Sequence, residues 1–218
     1  RIAKAVLLES RIPNHQTAAF SIYLDLANEG ISQAQHQVGK HYSNGIGVAK
    51  DSKKALFWYR EAALQGNNFS KNEIGKAYEL GDGIQIDPSE ALRWYRESAQ
   101  EGNMLAQENL ARIHEEKGTA PYFTLDIKQA LSLYESAAEQ GSSHALLQVI
   151  RLLREGDGIT QDLSRALKLA GKGMNDDFSE YETLTGTVIP RQLFAQELKL
   201  IDGLQSGSLD TFETMKNP

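Results

Sequence analysis

The sequence predicts an all-α fold, a solenoid of about five helical hairpins closed by a C-terminal helix, and three observations carry that prediction. The first is an internal repeat: Ala34–Gly66, "AQHQVGKHYSNGIGVAKDSKKALFWYREAALQG", recurs 36 residues later as Ser70–Gly102, "SKNEIGKAYELGDGIQIDPSEALRWYRESAQEG". Periods of roughly 20 to 50 residues mark stacked supersecondary units. The second is periodicity inside each copy, where Ala34, Val38, Gly39 and Tyr42, then Leu56, Tyr59 and Ala63, follow the spacing of one helical face. The third is glycine placement: 13 of the 18 glycines fall on repeat columns, although an interior Gly costs a helix about 1 kcal/mol relative to Ala.

The elements follow in order. Residues 1–30 read as a degenerate N-terminal hairpin whose second half, "AAFSIYLDLANEG", ends at Gly30. In the 31–66 repeat, Gly45 and Gly47 supply the reversal between helices, Asp51 caps the second helix and Gly66 ends it. Gly39 lies inside the first helix, which predicts close approach of a ring, with Trp58-Tyr59 as candidates, and Trp58→Ala is expected to cost about 3 to 5 kcal/mol if Trp58 is core. The 67–102 repeat carries the same signals at Gly75, Gly81, Gly83, Trp94-Tyr95 and Gly102, and Asp87-Pro88-Ser89-Glu90 reads as a capping box. In the 103–141 repeat, three extra residues enlarge the loop, the G-x-G pair is missing from Glu115–Asp126, and Asp126 with Gln129 repeats the box. The 142–177 repeat keeps Gly156, Gly158 and Asp162 but has Leu169-Ala170 in place of the W-Y pair and no terminal Gly.

Asn175–Thr183 is acidic and reads as a linker. From Thr185, Ile189, Leu193, Leu200, Ile201 and Leu204 form an apolar stripe after Pro190, predicting a capping helix over 185–206. The five glycines outside the columns all lie after residue 170, where the array is expected to stop, and residues past Gly207 read as a frayed end or tail. All these segments are expected to form one solenoid domain.

Composition narrows the function classes. With 218 residues and 40% hydrophobic content the chain can bury a core, and the absence of Cys excludes disulfides, thiolate metal sites and Cys nucleophiles. A net charge of -6 argues against general nucleic-acid binding. No stretch approaches the ~20 apolar residues of a membrane span, and any leader is expected to lie upstream of Arg1. The five His (15, 36, 41, 114, 144) lack metal-ligand spacing, the glycine pairs lack a phosphate-loop pattern, and no Ser is followed three residues later by Lys. No cofactor, metal or catalytic residue is therefore expected.

The order small-x-x-x-L-G-x-x-Y, G-x-G-V/I, D, K-A-L, W-Y, A-A, G, nearly complete over Ala34–Gly66 and Ser70–Gly102, resembles the Sel-one-like repeat, a relative of the tetratricopeptide repeat. The resemblance covers residues 1–177 and fades toward both ends. It implies a right-handed α-α superhelix and a scaffold or adaptor that docks a segment of another protein in its concave groove. It further implies a bacterial setting, periplasmic or secreted in preference to cytoplasmic, and assembly of a bacterial complex. An end-to-end homodimer is the oligomer that an incompletely capped stack allows.

In such stacks the first helices line the groove. The residue after the Gly39 column is Lys40, Lys76, Arg112 and Arg151, basic in every copy. One turn earlier stand His36, Asn72, Glu108 and Leu147, and before them Phe69, Leu105 and His144. Phe69, Tyr122 and Phe123 depart from the consensus aromatics and are read as contact residues. This column has two readings: a groove for an acidic peptide or anionic polymer, or a solvated ladder neutralised by Glu79, Glu115 and Glu116. A binder of an anionic polysaccharide or peptidoglycan fragment is the second functional reading, and a hydrolase the third.

Overall fold

The computed structural model describes residues 1–8, 13–115, 125–175 and 191–206. Among them are eleven helices and no strand. The chain divides into two compact units, 1–106 and 107–218.

The first unit contains α1 (Ile2–Leu8), α2 (Pro13–Asn28), α3 (Ser32–Asn44), α4 (Ser52–Leu64), α5 (Asn68–Leu80) and α6 (Pro88–Gln100), each packed on the next. It ends in the first turn of α7 (Met104–Glu115). The second unit holds the rest of α7 with α8 (Ile127–Glu139), α9 (Ser143–Glu155), α10 (Leu163–Asn175) and α11 (Arg191–Gln205). There α9 packs on α8 and α10, and α11 lies on α10 and α9. Small residues fill the interior between helices: Ala34, Ala62, Ala106, Ala130, Ala137, Ala145, Ala166 and Ala170 are all fully buried.

The four hairpins from α3–α4 onward close by the same backbone bond. The N–H of the capping Asp donates to the last turn of the preceding helix: Asp51 to Tyr42 O, Asp87 to Tyr78 O, Asp126 to His114 O and Asp162 to Leu153 O, all at 2.8–3.0 Å. The same Asp side chains accept from Lys54 N, Glu90 N, Gln129 N and Arg165 N, satisfying helix donors that have no backbone partner. This bond also corrects the capping-box expectation. Because Asp87 N–H already serves Tyr78, Glu90 turns outward and binds Arg93 at 2.7 Å.

The second glycine of each G-x-G does more than turn the chain. A Cβ on Gly83 would lie 2.6 Å from Ser52 O and 2.9 Å from Lys53 N, and one on Gly47 would lie 2.4 Å from Gln16 O. These atoms belong to the first turn of the second helix one hairpin earlier, so the glycine is where consecutive hairpins touch.

Rings fill the glycine notches inside the first helices, and Tyr is the ring. A Cβ on Gly39 would meet Tyr59 at 2.6 Å and one on Gly75 would meet Tyr95 at 2.8 Å. Trp58, the other candidate, is only half-buried and packs at the core's edge, because its neighbour Tyr59 points into the hairpin. The capping helix buries Ile201 as expected, but at its start it buries Phe194 in place of Leu193. Phe194 is fully buried while Leu193 is 39% exposed, since Phe194 lies against Gly173, where a Cβ would be 2.4 Å from its ring. Gly173 thus seats the final helix.

Candidate functional site

Three of the first helices, α5, α7 and α9, begin with a capped turn. Asn67, Asn103 and Ser142 accept from Ser70 N, Ala106 N and Ala145 N; Ile31, the equivalent in α3, has no side-chain cap. These caps set the phase of the face carrying the basic column. On α5 that face presents Phe69, Glu73, Lys76 and Leu80, spaced by four, three and four residues. Phe69 is 42% and Leu80 63% exposed.

A cleft of about 220 Å³ opens between α3, α4 and α5. Its walls include Ser43, Lys50, Tyr59, Lys76, Leu80 and Asp82, with Ala55, Leu56 and Ala77 among its apolar residues. Tyr59 stands with its ring in the Gly39 notch and its hydroxyl bonded to Ser43. Burial, with Glu73 nearby, drives the Tyr59 phenol well above its ordinary value, so it stays a neutral donor.

The basic column is not uniform. Lys40 is exposed and makes no ion pair with any described residue. Lys76 binds Glu73 at 2.9 Å across a half-exposed pair, an interaction worth about 0 to 1 kcal/mol. Arg112 is half-buried. Arg151 binds Glu155 at 3.0 Å and also Glu115 of the preceding first helix. Glu79, expected to serve the ladder, instead accepts from the Tyr95 hydroxyl at 2.6 Å. Lys76 takes Glu73, its other neighbour three residues away.

Among the remaining expected contacts, Asn72 is buried, 2% exposed, with its amide donating to Glu73. Phe69 lies 6.2 Å from His36, whose ring also faces Tyr59 at 5.6 Å. Tyr122 and Phe123 lie outside the described residues. In the second unit, Glu108 accepts from Ser142 Oγ at 2.6 Å and pairs with His144 Nδ1 at 2.8 Å. Arg154 bridges to Glu197 of α11 at 2.9 Å. Arg151, held by Glu115 and Glu155, is committed to carboxylates of its own chain.

His36 is hydrogen-bonded to Ser70 Oγ at 2.9 Å. Burial lowers its imidazole from 6.5 to about 4; Glu73 opposes the shift and Lys40 adds to it. Between those values the unfolded chain takes up a proton that the folded one refuses, so this group's contribution is full above pH 6.5 and is lost as pH falls toward 4. The expected loss is about 2 to 3 kcal/mol. Urea unfolding across this range checks it: His36→Gln should flatten the pH dependence, and parallel profiles for variant and parent would remove the assignment.

One set of paired columns was legible but unread. Gln65 donates to Gln35 at 2.7 Å and Gln140 to Gln107 at 2.8 Å, while the equivalent pair in the repeat between them is Lys71 with Glu101. The matched change of both partners, Gln-Gln to Lys-Glu and back, was the available signal. The cleft residues Ser43, Lys50 and Leu80 carried no such signal, because only packing of three helices brings them together.

The Sel1 repeat profile matches residues 32–67, 70–103, 105–142 and 151–173. Among solved structures, a Sel1 repeat protein from Oxalobacter formigenes is 25% identical, aligned over 85% of this chain and 76% of its own, with a TM-score of 0.65. The c5321 protein, a protective antigen present in uropathogenic Escherichia coli strains displaying an SLR fold, is 20% identical over 90% of this chain, with a TM-score of 0.57. This chain spans 53% of its length. Immunity protein Pa5087 from Pseudomonas aeruginosa is 17% identical over 86% of this chain and 75% of its own, with a TM-score of 0.55. No curated protein sequence matches significantly.

Proposed function

This chain belongs to the Sel1 repeat family, whose members are generally protein-interaction scaffolds without catalytic activity, and on that premise we propose that it docks a segment of another protein on the first-helix face of its 1–106 unit. The observation that carries the reading is the size and lining of the cleft beside Lys76. At about 220 Å³ it falls below the ~300 to 1,000 Å³ of small-molecule sites, and it matches one or two side chains of a docked chain. The Sel1 repeat protein and the two compared neighbours come from bacteria, which supports a bacterial setting for the partner.

A polyanion would require an uncompensated cationic strip. Lys76 and Arg151 are already bound by Glu73, Glu115 and Glu155, which favours the protein segment over an anionic polysaccharide. Panning a random-peptide phage library on the immobilised protein tests the reading. Enrichment should occur, and Lys40→Glu/Leu80→Ser should abolish it without loss of helicity. Retention on an immobilised uronate polymer at physiological salt, with no peptide enriched, would replace the segment by a polysaccharide.

A further inference from the structure

The cleft walls carry both signs of charge. Lys76 is neutralised by Glu73 at 2.9 Å. Two other charged groups line the cleft, Lys50 and Asp82. Neither makes an ion pair with any described residue, and both are exposed. Lys50 lies just before the cap of α4, while Asp82 occupies the G-D-G turn after α5. The apolar part of the lining comes from Ala55, Leu56, Ala77 and Leu80, with Leu80 63% exposed.

Resting on the docking reading above, we infer that the cleft selects a mixed-charge segment of a partner protein: an acidic and a basic side chain flanking an apolar one. The apolar side chain covers Leu80, the acid meets Lys50 and the base meets Asp82. A uniformly acidic segment gains at Lys50 and is repelled at Asp82; a uniformly basic one gains at Asp82 and is repelled at Lys50. With Lys76 already held by Glu73, the single-sign groove expected from the basic column does not extend into this cleft. The residues that decide specificity therefore lie outside that column, on the turns.

The test uses the peptides recovered by panning. Their shared pattern should hold both signs of charge around an apolar residue. For a fluorescein-labelled peptide of that pattern, Lys50→Glu and Asp82→Lys should each weaken binding about tenfold by fluorescence anisotropy, the scale of one charge contact turned repulsive. A peptide with its two charges exchanged should bind the Lys50→Glu/Asp82→Lys double variant better than it binds the parent protein. Both positions are exposed, and unchanged thermal melting confirms that each variant is folded; Lys50→Gln, expected to give a smaller loss, provides a second variant. Recovered peptides of one charge sign, or affinity unmoved by Lys50→Glu, overturn the mixed-charge cleft and leave docking intact. Recovery of no peptide overturns docking itself, and the cleft assignment with it.

Discussion

Gly83→Ala is expected to destabilise the protein by roughly 3 to 5 kcal/mol, and Gly102→Ala by only about 1 kcal/mol. Both glycines have left-handed backbone, φ +76° and +84°, so the conformational penalty is similar. What differs is the space. A Cβ on Gly102 meets nothing within 4 Å, whereas one on Gly83 would lie 2.6 Å from Ser52 O and 2.9 Å from Lys53 N. Those are backbone atoms in the first turn of α4, which cannot swing aside as a flexible side chain can. Relief requires separating two hairpins or unwinding the turn, and either exposes the core between them. Urea unfolding monitored by circular dichroism checks the pair. Equal losses for the two variants would show that contact between hairpins adds nothing to the turn's own strain.

Tyr95→Ala is the second large effect, about 3 to 5 kcal/mol. Tyr95 is fully buried; its ring occupies the notch at Gly75, and its hydroxyl donates to Glu79 at 2.6 Å. Tyr95→Phe should lose only the hydrogen bond, about 1 to 2 kcal/mol. The diagnostic measurement is a double-mutant cycle. Gly75→Ala places a methyl group against the ring and should destabilise the parent, yet be tolerated once Tyr95→Ala has emptied the site. Additive effects would show that ring and notch are not in contact.

The local features were legible in the sequence because their causes are local. Asp51, Asp87, Asp126 and Asp162 cap their helices as read, since a cap needs only its own residue and the next turn. Gly66 and Gly102 end theirs in left-handed backbone. Choices between neighbours on one helix were not legible. Trp58 or Tyr59 could fill the Gly39 notch by spacing alone, and only the direction of each side chain selects Tyr59. Glu73 and Glu79 are both three residues from Lys76; the Tyr95 hydroxyl takes Glu79 and leaves Glu73 to the lysine. Leu193 and Phe194 differ by one residue, and Gly173 on another helix decides which faces inward. The cleft was least legible, because Lys50, Lys76 and Asp82 come from a turn, a helix and the next turn.

The bond from Asp126 N–H to His114 O, 2.8 Å long, closes the α7–α8 hairpin across a connection three residues longer than its counterparts. Closure at that point separates the length of the connection from the packing of the helices it joins. Each doubling of such a loop costs only about 0.6 kcal/mol, against the several kcal/mol of a misplaced contact in the core. The α7–α8 connection is thus a place where new sequence can enter the protein, by evolution or by design, without redrawing the hairpin. A recognition element could be grafted there while the cleft beside α5 keeps its own specificity.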